Sequence, residues 1–183
     1  MPILYFAFIL GFIILFVIIL VNSLIAKKNQ VQNVFASIDA ILKKRYDLIP
    51  NLVSAVQTYM KYEKQLLSDI TQMRTMAING NLNPEEKIEI DNKIQKALGS
   101  ILVAVENYPD LKANQNFLQL QASLNEVEEQ ISAARRAYNS TVTDYNNIIE
   151  MFPSNIVATI MGFKRKNVFE ISDNERQNVN VKE

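Results

Sequence analysis

The 183-residue sequence lacks the side chains that most often carry out chemistry in enzymes. It contains no histidine and no cysteine, so it has neither the commonest general base nor a thiol nucleophile, and it lacks the usual ligands of transition metals. Its four glycines are scattered and cannot form a phosphate-binding loop. The neighbouring carboxylates of Glu85–Glu86 and of Glu128–Glu129 would diverge on a helix, which argues against acid–base work by either pair. We therefore expect a protein that is not an enzyme and binds no cofactor or metal ion.

Charged residues nevertheless fall on stripes of residues that should be buried. Arg45 and Glu63 interrupt the apolar stripe of one long segment, where they lie about five helical turns, roughly 27 Å, apart and so cannot pair with each other. A buried charge needs an opposite charge or several hydrogen bonds. The candidate partners are Glu106, Arg135, Tyr138 and Asn139, with Glu128, Tyr145 and Asn146 as further groups. We interpret this set as a structural polar network that fixes helix register, with a functional polar site inside the bundle as the alternative.

The elements that must position these groups begin with Ile3–Ile25, a run of 23 residues without charge. At about 1.5 Å per residue such a helix extends roughly 34 Å, enough to cross a hydrocarbon core of about 30 Å. No basic residue precedes the run, and Ser23–Ala26 is a poor cleavage pattern, so we expect an anchor that is kept rather than a signal peptide. The sequence predicts a single-pass membrane protein.

The basic residues near the anchor predict its orientation. None precedes the span, whereas Lys27, Lys28, Lys43, Lys44 and Arg45 follow it. Because basic residues favour the cytoplasmic side, we expect an outside N-terminus and a cytoplasmic body in the cell membrane. Lys27 and Lys28 are expected at the membrane interface, where their ammonium groups can reach lipid headgroups.

Behind the anchor, apolar residues recur at helical spacing in three long segments. The first runs from Gln30 to Asn79–Gly80, where the glycine is available for a left-handed cap, and Pro50 is expected to kink it. The second begins at an Asn83 cap followed by Pro84. The remaining predicted bounds are 83–106 for the second segment, 111–152 for the third, and 155–163 for a short apolar helix.

These segments predict an all-α fold. Helices joined by short loops pack antiparallel, so we expect an N-terminal transmembrane helix followed by an up-and-down four-helix bundle with long antiparallel helices, the first segment counting twice if it bends. The predicted divisions are a transmembrane anchor at 1–26, the helical bundle at 27–163 and a polar C-terminal tail at 164–183.

With 19 basic and 19 acidic residues the chain has no net charge, which argues against nucleic-acid binding.

Three blocks of the sequence resemble the signatures of the LemA family, in the family's order. They are Arg45–Val53 with Tyr62–Glu63, then Glu106–Ala113, then Ala134–Asn139 with Tyr145–Asn146 and Phe152–Pro153. Together they span nearly the whole body, and the N-terminal membrane helix fits as well. The resemblance implies a membrane-anchored, cytoplasmic helical bundle of four-helix, up-and-down type. It implies little about activity, because no established biochemical activity defines the family.

The leading functional hypothesis is a non-catalytic, membrane-tethered bundle that presents helix faces to a protein partner or to copies of itself, as a scaffold or a coiled-coil-like homo-oligomer. One alternative is a membrane-surface module that binds or remodels lipid through the basic start of the body and the Asn155–Phe163 segment. A second alternative is an extracytoplasmic bundle on the same anchor. We infer no small-molecule substrate; the expected partners are the lipid bilayer and protein.

Overall fold

A computed structural model describes residues 2–80 and 82–169, and this part of the chain is helical with no strand. The all-α prediction is confirmed, as is the long apolar helix at the N-terminus. The helices are α1 (Pro2–Val56), α2 (Lys64–Asn79), α3 (Pro84–Val105), α4 (Pro109–Lys112), α5 (Gln115–Glu150) and α6 (Ser154–Ile160).

Helix α1 changes character along its length. Its large apolar side chains from Ile3 to Ile19 are exposed, as expected of a helix that faces lipid. From Val31 onward the apolar side chains on one face, such as Ile38 and Leu42, are buried instead. Within the described residues α1 is the one helix long and apolar enough to cross a membrane, and its apolar window is not covered by protein.

The chain does not turn at Pro50, where a kink was expected to divide the first segment into two bundle members. Helix α1 continues through Pro50 to Val56, and the turn falls at residues 57–63. Ile49 and Leu52 are fully buried on either side of the proline, so packing offsets the one backbone hydrogen bond that proline removes. Met60, 1% exposed, anchors the turn in the core.

Local signals account for the connection between α2 and α3. Gly80 has an extended backbone (φ −78°, ψ 136°), so the left-handed cap expected there is wrong. A Cβ at this position would lie 2.7 Å from the carbonyl oxygen of Met76, and glycine is therefore required for space. Asn83 starts α3 as predicted, because its side chain accepts from the Glu86 amide while the Glu86 carboxylate accepts from the Asn83 amide, each at 2.9 Å.

The packing of the described residues divides into two units. The anchor unit comprises residues 2–36 and 136–168, and its core includes Leu24, Val31, Tyr138, Val142, Tyr145, Ile149 and Ala158. The body unit comprises residues 37–80 and 82–135 with Phe169, and its core includes Ile38, Leu42, Ile49, Leu52, Ile70, Ile94, Ile101, Leu111, Phe117 and Ile131. Helix α2 packs along α3 within the body unit.

The first residues of the predicted polar tail are packed rather than free. In the anchor unit the Tyr145 hydroxyl donates to the carbonyl oxygen of Lys164 at 2.9 Å. The Asn146 amide both donates to the carbonyl oxygen of Lys166 and accepts from its N–H, each at 2.9 Å. Residues 164–166 therefore lie along α5, and Phe169 is buried in the body unit. The rest of the predicted tail, 170–183, lies outside the described residues.

Candidate functional site

One buried carboxylate joins two buried guanidinium groups in the body unit. Asp91 on α3 is 0% exposed; its Oδ1 accepts from Arg45 Nη1 and its Oδ2 accepts from Arg135 Nη2, both at 2.8 Å. Arg45 on α1 and Arg135 on α5 are 1% and 7% exposed. The carboxylate thus cross-links three helices through charge-assisted hydrogen bonds.

The helical repeat of the sequence places these charges together. On α1 the residue at every seventh position, Ile38, Arg45 and Leu52, is buried, and on α3 the corresponding series is Asp91, Leu98 and Val105. Residues seven apart lie on nearly the same face of a helix, because two turns take about 7.2 residues. Each charge therefore interrupts an apolar seam and points into the core with its apolar neighbours.

A second layer of polar groups surrounds this trio. Glu128, whose side chain is 37% exposed, accepts from Arg45 Nη2 and, at 3.0 Å, from the Gln95 amide. Gln95 in turn accepts from Arg135 Nη1 at 3.4 Å, and Asn92 accepts from Arg135 Nη2 at 3.2 Å. The Arg135 guanidinium also lies 5.4 Å from the centre of the Phe169 ring. Two carboxylates and two guanidinium groups leave the cluster formally neutral.

Two polar atoms beside the cluster lack a hydrogen-bond partner among the described residues, the Tyr46 hydroxyl and Arg135 Nε. Tyr46 is 4% exposed, and burial, reinforced by the Asp91 carboxylate, raises the pKa of its hydroxyl well above the ordinary value. A neutral, unpartnered hydroxyl costs stability where it lies. The Tyr46 carbonyl oxygen, by contrast, accepts from Arg74 Nε at 2.8 Å.

This arrangement is suited to holding helices together rather than to catalysis. Asp91 is fully buried with both oxygens engaged, so it has no free oxygen with which to meet a substrate. Arginine does not give up its proton in proteins, and neither guanidinium can therefore act as an acid or base. No group of three or more metal-ligating side chains occurs in residues 2–80 and 82–169.

The structure brings together only some of the residues predicted for the polar network. Arg45 and Arg135 meet through Asp91, but Glu63 lies elsewhere and accepts from the Tyr108 hydroxyl at 2.9 and 3.0 Å. This hydrogen bond raises the pKa of the Tyr108 hydroxyl. Because the Glu63 carboxylate accepts from Tyr108, it does not cap α2, the helix that begins at the next residue.

The other predicted members are not in the cluster either. Glu106 is exposed and forms an ion pair with Lys112 on α4. Tyr138 belongs to the anchor unit, where its ring meets Phe35 edge-on at 5.9 Å, and the half-buried Asn139 follows it on α5.

Sequence reasoning missed Asp91, the residue on which the cluster depends. Its signal was the heptad: Asp91 shares a seven-residue repeat with Leu98 and Val105, as Arg45 does with Ile38 and Leu52. A single acid on one apolar seam and a single base on another predict a buried ion pair. Comparing the seams of the two segments would therefore have identified Asp91 as the partner of Arg45.

The two lysines predicted at the membrane interface both make contacts within the anchor unit. Lys27 Nζ lies 3.1 Å from a carboxylate oxygen of Asp144 on α5. Lys28 Nζ lies 5.8 Å from the centre of the Phe163 ring, which follows α6. These two contacts place α5 and the residue Phe163 beside the C-terminal end of the apolar run of α1.

Comparison with known proteins gives a consistent result. The sequence model of the LemA family matches residues 34–182. Protein LemA of Metamycoplasma hominis is 30% identical, over 88% of this chain and 74% of that protein. Magnetosome proteins MamQ 1 and MamQ 2 of Paramagnetospirillum magneticum are each 24% identical, and MamQ of Magnetospirillum gryphiswaldense is 21% identical. The chain spans 64% of the length of these MamQ relatives.

Proposed function

The chain belongs to the LemA family, and from this premise we propose that it is a membrane-anchored, non-catalytic helical protein that acts as a scaffold for a protein partner or for copies of itself. The body is proposed to lie on the cytoplasmic side, with the N-terminus outside, because basic residues follow the apolar run and none precedes it. An extracytoplasmic body on the same anchor is the alternative.

The observation that carries this proposal is the continuity of helix α1. One helix, Pro2–Val56, contains both the exposed apolar run and residues of the buried core such as Ile38 and Leu52. No loop separates the membrane-spanning part from the part that builds the helical body. Such a helix supports a role in which the folded body is tethered directly to a bilayer.

The polar cluster and the names of the relatives agree with a role other than catalysis. The Arg45–Asp91–Arg135 trio engages its charges internally, as a structural element does. The MamQ relatives are named for a cellular structure, the magnetosome, and not for a reaction. Both observations favour a structural role.

Exposed side chains of the body unit offer contacts to a partner. Tyr62 is 94% exposed and Val103 is 72% exposed. Tyrosine is enriched in protein interfaces, because its ring buries a large area and its hydroxyl forms a hydrogen bond. These two positions are therefore the natural sites for probes of association.

Photocrosslinking in native membranes tests the scaffold. A photoreactive phenylalanine analogue is placed at Tyr62 or at Val103 in the full-length protein, with Glu89, an exposed residue on α3, as the matched control position. We expect one recurrent crosslinked product of defined mass, either a dimer or a complex with one partner, from Tyr62 or Val103. Monomer alone at all positions would refute the scaffold.

Labelling of a single introduced cysteine tests the orientation. The chain has no cysteine, so Ser68→Cys, at an exposed position on α2, supplies the only thiol. For a cytoplasmic body, a membrane-impermeant maleimide labels it only after the cells are permeabilised. Labelling of intact cells would establish the extracytoplasmic alternative.

A second candidate function, a module that binds or remodels lipid, is supported by apolar side chains around α6. Ile156 and Ile160 are 53% and 80% exposed on this short helix, which lies in the same unit as the apolar run of α1.

A further inference from the structure

The chain from Met151 to Phe163 forms an apolar lobe at the end of α5. This segment has no charged residue, and charged residues bound it on both sides, Glu150 before it and Lys164–Lys166 after it. Its exposed apolar side chains and their exposures are Met151 (62%), Phe152 (79%), Ile156 (53%), Ile160 (80%) and Met161 (46%). So dense a group of exposed apolar side chains marks a surface that contacts something other than water.

The lobe is held in place by its own contacts. The Ser154 hydroxyl donates to the carbonyl oxygens of Ile148 and Met151, at 2.6 and 2.8 Å. Ser154 and Ala158, four residues apart, are 5% and 2% exposed on the inner face of α6. Helix α6 therefore packs the face that carries Ser154 and Ala158 against protein and presents Ile156 and Ile160 outward.

Two contacts in the anchor unit fix the register of α5 against α1. Lys27 pairs with Asp144, and Phe35 meets Tyr138, so the two helices run antiparallel. Seven residues before Lys27 is Leu20, and seven residues after Asp144 is Met151, in each case about two turns. The lobe therefore begins at the level of Leu20, inside the apolar run.

Burial along α1 agrees with this register. The large side chains from Ile3 to Ile19 are each at least 39% exposed, but Leu24, still within the run, is 0% exposed. Another part of the chain must cover Leu24. Since the anchor unit consists of residues 2–36 and 136–168, we infer that segment 136–168 covers it. A hydrocarbon core of about 30 Å that starts at Ile3 ends near Ser23, since a helix rises about 1.5 Å per residue. Leu20 is then about 5 Å inside the core.

We propose that the apolar lobe is a second membrane contact, inserted beside the transmembrane helix into the leaflet in which that helix ends. Its occupant is the lipid of that leaflet: Phe152 and Ile160 meet acyl chains, while Lys164–Lys166 lie among headgroups. A depth of about 5 Å is typical of interfacial helices. This inference rests on the proposed membrane anchor, and it identifies lipid as the ligand of a surface that lies next to the span.

Tryptophan depth measurements test the lobe, because the chain has no native tryptophan. Phe152→Trp and Ile160→Trp replace exposed apolar side chains, so each variant is expected to fold. Full-length protein is reconstituted in phosphatidylcholine–phosphatidylglycerol vesicles with or without lipid brominated near the headgroup end of the acyl chain. Phe16→Trp in the span is the control for insertion, and Tyr62→Trp is the control for water exposure.

We expect blue-shifted emission and loss of intensity in brominated vesicles at both Phe152→Trp and Ile160→Trp, but not at Tyr62→Trp. If Phe16→Trp is quenched but either Phe152→Trp or Ile160→Trp is not, the lobe contact is overturned and the anchor still stands. Blue-shifted lobe emission that brominated lipid does not quench would also overturn it, by showing that protein, such as a second copy of the chain, covers the lobe. Absence of quenching at all positions would overturn the proposed anchor together with the lobe.

Discussion

Replacing Asp91 with asparagine tests whether the buried cluster holds the helices together. Asparagine has nearly the same shape, but its amide offers one acceptor oxygen where the carboxylate offers two, and it carries no charge. One guanidinium would then face the asparagine NH₂ group, which is a donor and cannot accept its hydrogen bond. The cluster would also hold two positive charges against the single carboxylate of Glu128. The substitution therefore unbalances the charge without creating a cavity.

The magnitude follows from the burial of the three groups. Removing one partner from a buried ion pair costs about 3–5 kcal/mol, because the remaining charge is left without compensation. Arg45 keeps Glu128 as a partner, so we expect a loss near the lower limit, about 3 kcal/mol. With a denaturant slope of about 2 kcal/mol per molar urea, the unfolding midpoint should fall by about 1.5 M.

Urea unfolding of the full-length protein in mild detergent, followed by circular dichroism at 222 nm, measures this shift. Glu89→Gln is the matched control, because it removes a carboxylate from the same helix but from an exposed pair with Lys93. We expect no measurable shift for the control. A midpoint for Asp91→Asn equal to that of the wild type would refute the reasoning, since it would mean that water reaches both guanidinium groups.

Replacing the whole trio separates charge balance from packing. The triple variant Arg45→Met, Asp91→Leu, Arg135→Met leaves no unpaired charge from these three positions and fills the core with apolar side chains. Replacement of a buried ionic triad by apolar residues is often neutral or stabilising, so we expect the triple variant to recover most of the stability that Asp91→Asn loses. A triple variant as unstable as Asp91→Asn would contradict this account.

Substitutions at four further positions test the contacts of individual side chains. Arg135→Ala should lower the free energy of unfolding by about 3 kcal/mol in the same urea assay, and an unchanged value would show a solvated side chain. Tyr46→Phe should be neutral or stabilising by about 1 kcal/mol at pH 8, because its hydroxyl is buried without a partner. Because burial raises the pKa of Tyr46 in the folded state, only the unfolded state ionises at this residue as the pH rises above about 10. The wild type should then lose about 1.4 kcal/mol of stability per pH unit more than Tyr46→Phe, and equal alkaline losses would count against a raised pKa. Tyr108→Phe removes the hydrogen bond to the Glu63 carboxylate and should speed amide hydrogen exchange at the start of α2. Glu63→Gln should have a similar effect. Unchanged exchange in both variants would show that this hydrogen bond does not order the turn.

The helices and several of their ends were predictable because the signals lie in the local sequence. Apolar residues at helical spacing predicted the long segments, and Asn83 with Pro84 predicted the start of α3. Gly162, which lies near the end of the short helix predicted at 155–163, has φ +70° and ends the turn after α6. These features depend on residues close together in the chain.

The features that sequence reasoning missed depend on contacts between distant residues. The turn at 57–63 contains neither glycine nor proline, and it forms where Met60 enters the core and Glu63 meets Tyr108. Pro50 carried the local signal for a break, but the buried side chains around it keep α1 helical. Asp91 was missed for the same reason, since its partners lie more than 40 residues away on other helices.

The single acid of the trio also limits how the helices can be misaligned. Apolar seams that repeat every seven residues fit one another almost as well after a shift of one repeat. Sliding α3 by that distance would bring Leu98 to the place of Asp91, opposite the two arginines. This misfolded arrangement would leave Arg135 without its carboxylate partner and Arg45 with Glu128 alone, at a cost of several kcal/mol. The trio therefore favours one conformer over its near copies, and the apolar triple variant should show this as broadened resonances even if its stability is restored.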